Sequence, residues 1–330
     1  MRVLLNATVK RPWNSGRYVY QALRDLGHQV KIFDYRVSRN INHELIESAD
    51  TFKPDLMLTL KGERIEPELV KRVIDKGIYT VLWYPDPHRE IPRWLCKLAR
   101  TNNFFFTILK GMISKFRERG IEKVEWLSQG FAPSFYHCNG INEKEMRKYG
   151  SDVTLIGAID YRAIYKKRYY MLMRVMEEGI RVKWWGPRIS LEFRNIPIIF
   201  SRLVLRYGGK FIYNEEYAKV VQSSKIFLAA DAYPEIEGSV SARIYTATGC
   251  GAFYLSEYVK GIEEIFEIDK EIIVFRNPEE MIEKIRYYLD RQEERQGIAK
   301  AAQEKVLSKY TYVHRLSEMF SVLKERDGLG

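Results

Sequence analysis

Apolar residues in this chain come in short runs separated by amphipathic stretches, the rhythm of strands alternating with helices. In the first half the runs are RVLLNA (2–7), VKIFDY (30–35), PDLMLTL (54–60), YTVLWY (79–84), NFFFTIL (103–109) and KVEWLS (123–128). Between the first two lies SGRYVYQALRDLGHQV. It places Val19, Ala22, Leu23 and Leu26 on one helical face, with Gly27 as the stop signal. Further helices are predicted over 66–76, 91–100 and 111–119. Strands at this spacing, nearly all apolar, predict a parallel sheet covered on both faces. The rhythm pauses over 130–149, a stretch rich in Gly, Pro, Asn and charge, and a domain boundary is expected there. It then restarts with strands DVTLIG (152–157), IRVKWWG (180–186), KIFLAA (225–230), GAFYLS (251–256) and EIIVF (271–275). Helices are predicted over 163–178 and 239–248, and from Pro278 to about Arg326. Two doubly wound α/β domains follow, whose ligands bind beyond the carboxyl ends of the strands.

Hydrophobic residues make up 46% of the 330 and charged residues 29%, which excludes a disordered chain. Apolar runs such as 103–109 and 196–200 fall far short of the ~20 residues that span a bilayer. The N-terminal run is too short for a signal peptide, so a cytoplasmic location is expected. Cys96, Cys138 and Cys250 are isolated, the five histidines are scattered, and no DxD pair or HExxH spacing occurs. No metal site and no bound cofactor are expected. A net charge of +11 attracts phosphates, nucleic acid or anionic membranes, but no nucleic-acid motif accompanies it. The stretch ISLEFRNIPIIFSRLVLRYGGK (189–210) mixes apolar and basic residues. It reads either as a peripheral contact with an anionic membrane, at the inner face, or as a core helix with a charged edge.

Four stretches carry candidate chemistry. In YPEIEGSVSARIYTATGCGAFYLS (233–256) a loop leads into a helix expected to start at Gly238 or Ser239. Free amides at such a start favour a diphosphate, Ser239 and Ser241 add hydroxyls, and Arg243 adds a cation. Many helix starts hold nothing, so a start without a ligand is the alternative. DYRAIYKKRYY (160–170) offers Arg162, Lys167 and Arg168 to the same phosphates, or forms a solvated basic face. WYPDPHRE (83–90) puts Asp86 and His88 at the carboxyl end of a strand, as acceptor ligands and base, or as structural caps. In NSGRYVY, Gly16 with Asn14, Ser15 and Arg17 forms either a ligand loop or a plain N-cap.

The run RIYTATGCGAFYLSEYVKGIEEIF (243–266) resembles the core of GT-B glycosyltransferases, especially the spore-maturation (CgeB-like) branch. EIIVFRNPEEMIEKIRYYL and AAQEKVLSKYTYVHRLSEMF resemble the segments that follow in that family. SGRYVYQALRDLGHQV, KPDLML, TVLWYPDP and FFFTILKGMISKFRERGIEKVEWLSQGFAP match its N-terminal half in order. The resemblance implies two Rossmann-like domains facing each other across a cleft. Residues 1–140 form the acceptor domain and 141–310 the donor domain, with a closing helix over 311–326 returning to the first. It implies a retaining, metal-independent transferase using a nucleotide-sugar donor, UDP- or GDP-linked, and an acceptor that is glycan, lipid or protein. Gly16 would then lie near the transferred sugar, and Arg162 with Lys167 or Arg168 would reach the diphosphate. Aligning Arg243 and Gly251 puts Thr246 where the family has the glutamate that contacts the ribose, and Gly238 at its acidic companion. Glu235 and Glu237 are the nearby carboxylates. The alternatives are a non-catalytic sugar-nucleotide or polyanion binder and a GT-B-fold epimerase.

Overall fold

A computed structural model describes residues 1–161 and 163–329. Contacts group the chain into two compact units. Unit 1 holds residues 1–130, 236–239 and the chain from Tyr310 onward; unit 2 holds 131–235 and 240–309.

Unit 1 runs β1 (Arg2–Asn6), α1 (Ser15–Asp25), β2 (Gln29–Phe33), α2 (Ile41–Phe52), β3 (Leu56–Leu60), α3 (Pro67–Ile74), β4 (Tyr79–Tyr84), α4 (Arg93–Thr101), β5 (Phe104–Thr107), α5 (Ile113–Glu118) and β6 (Val124–Trp126). Its six strands are parallel in the order β2-β1-β3-β4-β5-β6. Every residue of β3 and β5 is buried, because helices on both faces leave a central parallel strand no wet side. The two edge strands, β2 and β6, show partial exposure along most of their length.

Unit 2 runs α6 (Glu143–Tyr149), β7 (Ser151–Ile156), α7 (Ala163–Glu177), β8 (Val182–Trp185), α8 (Ile196–Ile199), α9 (Asn214–Gln222), β9 (Ser224–Ala229), α10 (Ala242–Gly249), β10 (Tyr254–Glu257), β11 (Ile273–Phe275), α11 (Pro278–Leu289) and α12 (Gln292–Lys309). Its parallel sheet has the order β11-β10-β9-β7-β8. The last helix, α13 (Tyr312–Asp327), belongs to unit 1 and packs on α1. Both sheets begin 2-1-3-4-5, so each has its topological switch point between its first and third strands.

The expected α/β class is the observed one. Three helices were not read from the sequence. Of these, α2 starts where the Asn40 side chain accepts from His43 N–H, and α6 is set by a capping box between Asn142 and Glu145. The third is α9. The stretch 189–210 is neither a core helix nor one helix at all. It forms short 3₁₀ turns around the single turn of α8.

Candidate functional site

The carboxyl ends of β7 and β9 flank the switch point of unit 2, and two arginines meet there. Arg168, on α7, is buried, and among the described residues no carboxylate lies within ion-pair reach of it. Its guanidinium donates to two backbone carbonyls, Ala158 O at 3.1 Å and Ala230 O at 3.1 and 3.3 Å. One carbonyl follows β7 and the other follows β9, so this side chain bridges the crevice. Burial, followed by the neighbouring Arg243 charge, pulls its pKa down to about 9. Arg243, in the first turn of α10, has Nη1 3.9 Å from Asp231 Oδ1. That is an ion pair beyond hydrogen-bond reach, and the buried Oδ1 has no hydrogen-bond partner. Gly157, just after β7, leaves room beside both guanidiniums. A Cβ there would stand 3.1 Å from Arg168 Nη1 and 3.4 Å from Arg243 Nη2. Two guanidiniums against one carboxylate leave buried positive charge, a standing demand for an anion.

The helix beside this pair starts later than expected, at Ala242 rather than Gly238 or Ser239. Ser241 is its N-cap residue but does not cap: its Oγ is buried and makes no hydrogen bond. A hydroxyl in that state, next to free amides and two cations, fits a phosphate oxygen. Gly238 and Ser239 group with unit 1, not with unit 2. There Glu237 O accepts from Gly111 N–H at 3.0 Å and Glu237 pairs with Lys110 at 3.5 Å. Gly238 has φ +73°, and a Cβ on it would come within 2.9 Å of Lys110 Cβ. Glu235 is exposed. Thr246 donates its hydroxyl to Ala242 O at 3.0 Å, back into its own helix. Lys167 pairs with Glu257 at the end of β10 instead of joining the arginine cluster, and both line a cavity of about 420 Å³ with Tyr170, Phe275 and Arg276. Arg162 lies outside the described residues. Asp231 was missed from sequence, although its place directly after the KIFLAA strand was the available signal.

Unit 1 carries the other candidates. Asp86 and His88 follow β4. Asp86 pairs with Lys61 at 2.7 Å, a residue just past β3 that sequence reading did not single out. His88 Nε2 lies 2.6 Å from the Tyr84 hydroxyl. Burial pushes the His88 pKa down, against the pull of Asp86, and pushes that of Tyr84 up. The contact therefore joins a phenol to a neutral imidazole, while Asp86, partly exposed, turns to Lys61. Gly16 has a packing reason: a Cβ would come within 2.4 Å of Thr8 O. Asn14, at the N-cap of α1, does not cap it; its Oδ1 accepts from Arg11 N–H at 2.9 Å. Among the described residues, no group of three or more His, Cys, Asp or Glu side chains is placed to hold a metal ion.

Two Rossmann-like units, each with a parallel sheet in the 2-1-3-4-5 order and the second with a cationic switch point, define a GT-B fold. Residues 167–321 match the family model described as glycosyl transferase-like. Among solved structures, the chain is similar to a glycosyltransferase from Rickettsia africae ESF-5, with TM-score 0.71 and 13% identity over 98% of each chain. It is similar to Anabaena Alr3699/HepE, solved in complex with UDP and glucose (TM-score 0.68, 13% identity, 98% of this chain and 99% of that one). It is also similar to the sucrose-phosphate synthase of Thermosynechococcus elongatus (TM-score 0.69, 11% identity, 100% of each chain). At such identities the likeness is one of fold. No curated protein gives a significant match.

Proposed function

We propose that this chain is a glycosyltransferase that moves a sugar from a UDP- or GDP-linked donor to a glycan, lipid or protein acceptor. The observation that supports it most is the Arg168–Arg243 pair at the switch point of unit 2, inside the segment that matches the glycosyl transferase-like model. As the bond between sugar and diphosphate breaks, negative charge grows on the leaving phosphate. Two preorganised guanidiniums and the unpaired Ser241 hydroxyl are the groups to meet it. These cations supply what a divalent ion supplies in other transferases, so turnover is proposed to be metal-independent. Retention follows the resemblance to the CgeB-like branch: the acceptor hydroxyl attacks on the face the diphosphate leaves, and its proton passes to the departing phosphate oxygen. Asp86 is proposed to hold acceptor hydroxyls.

One observation favours a second reading, a sugar-nucleotide binder without turnover. Thr246 stands where the family resemblance puts the ribose-binding glutamate, and its hydroxyl is spent on its own helix. A panel of UDP-, GDP-, ADP- and dTDP-sugars, read by thermal shift and by released nucleotide, separates the two. Transfer predicts one donor class that both stabilises the protein and releases nucleotide, with EDTA making no difference. Stabilisation without release supports the binder, and complete loss in EDTA restored by manganese sinks the metal-independent mechanism.

A further inference from the structure

Between β8 and α9 the chain makes a long excursion over residues 186–213. It is firmly anchored. Ile198 and Leu203 are fully buried, Leu203 O accepts from Trp184 Nε1 at 3.1 Å, and Asn195 is buried with its amide bonded to Ser190 and its Oδ1 to Tyr161 N–H. Tyr207 stacks on Trp184 at 4.4 Å between ring centroids. On this fixed base Ile189 still leans on the core, but four large apolar side chains stand out in solvent. Leu191 is 91% exposed, Phe193 89%, Phe200 85% and Leu205 82%. A folded unit ordinarily spends such residues on its core; here the anchors have taken the core positions and these four remain in water.

The charge between them is mostly positive. Residues 186–211 hold five basic side chains, Arg188, Arg194, Arg202, Arg206 and Lys210, and one acidic one, Glu192. Arg194 pairs with Asp160 and Glu192, and Lys210 with Glu216. Among the described residues, Arg188, Arg202 and Arg206 have no carboxylate within ion-pair reach. Protruding apolar tips, separated by unneutralised arginines on short turns, match an interface that is apolar below and anionic above. A protein partner would call for a contiguous apolar face, whereas single side chains exposed beyond four-fifths reach into a fluid.

We infer that residues 186–211 dock unit 2 onto an anionic phospholipid bilayer, with Phe193, Phe200 and Leu205 inserting among the acyl chains and Arg202 and Arg206 binding headgroup phosphates. The inference stands apart from the transfer reaction, because membrane binding is read with no donor present.

The test is co-sedimentation of the full chain with vesicles of phosphatidylcholine alone or mixed with phosphatidylglycerol. The protein should pellet with the anionic vesicles and stay in solution with the neutral ones. Each arginine is worth roughly fivefold at such a surface, so Arg202→Ala with Arg206→Ala should weaken binding by roughly twenty-fivefold. Phe193→Ser, Phe200→Ser and Leu205→Ser together should remove the binding that survives high salt. These positions are exposed, so circular dichroism should show the fold unchanged. No binding to anionic vesicles, or binding indifferent to both sets of substitutions, overturns the inference. So does concentration-dependent self-association, seen by ultracentrifugation and lost in the triple variant, which would assign the face to a second copy of the chain.

Discussion

Arg168 carries a cost of burial. Its folded pKa, about 9, lies below that of an ordinary guanidinium, so the fold bears the penalty of a buried cation at every pH below 9. If the proposed donor site is right, a bound diphosphate relieves it and a nucleoside diphosphate should raise the melting temperature. Charge-assisted hydrogen bonds contribute roughly 1.5–3 kcal/mol each, so Arg243→Ala should weaken nucleoside diphosphate binding roughly tenfold to a hundredfold. Asp231 complicates that experiment, since losing Arg243 strands a buried carboxylate. Asp231→Asn alone is the control: it frees Arg243 and should hold or tighten binding. If calorimetric titration finds Arg243→Ala binding normally while melting earlier, Arg243 serves only to neutralise Asp231. Gly157→Ala should cost binding too, by less, because its Cβ crowds both guanidiniums without removing either.

At the scale of the element, α13 meets two histidines whose protonation opposes folding. His28 packs against its Phe320 in a tilted ring contact, centroids 4.6 Å apart, and His314 Nδ1 lies 2.7 Å from Thr311 Oγ1 in its capping box. Burial lowers the pKa of both histidines below the ordinary 6.5, helped by the N-terminal charge for His28 and by Arg315 for His314. The unfolded chain therefore binds these protons first. Stability is intact above about pH 6.5 and falls as the pH drops toward the folded values. Protonating His314 also removes the acceptor that completes the cap. Scanning calorimetry between neutral and mildly acid pH should show a falling melting temperature, with a shallower slope for His28→Phe. An unchanged slope in that variant would assign the acid sensitivity to other groups. The element α10 teaches a different lesson: with Arg243 in its first turn and Thr246 bonded back to Ala242, its start supplies cationic and amide contacts but no carboxylate.

For the molecule as a whole, unit 1 is completed by the last part of the chain. Tyr312, Leu316, Met319 and Leu323 of α13 are buried, Asp327 binds Lys123 and Tyr79, and Arg326 binds Glu125 at 2.9 Å. Four such side chains at ~1.5–3 kcal/mol each approach the ~5–15 kcal/mol that holds a domain. A chain ending at Lys309 should lose amide protection throughout β1 to β6, while β7 to β11 keep theirs. Hydrogen exchange resolved by segment checks this, and equal loss in both sheets would show that the two units do not unfold separately.

The strands were legible because a parallel sheet covered on both faces demands continuous apolar runs, and FFFT or YTVLWY meets that demand in no other way. The helices α2 and α6 escaped because their evidence lies in caps, Asn40 and the Asn142–Glu145 box, inside polar stretches that read as loop. Arg168 and Arg243 were readable as cations near a helix start, since residue type and position after a strand are local properties. Which carbonyls hold Arg168, that Asp231 rather than Glu235 or Glu237 stands by Arg243, and that Lys167 turns to Glu257 were decided by tertiary structure alone. So was the exposure of Phe193, Phe200 and Leu205. Periodicity and composition record how many apolar residues a stretch holds, but only the packed chain determines which of them find a core.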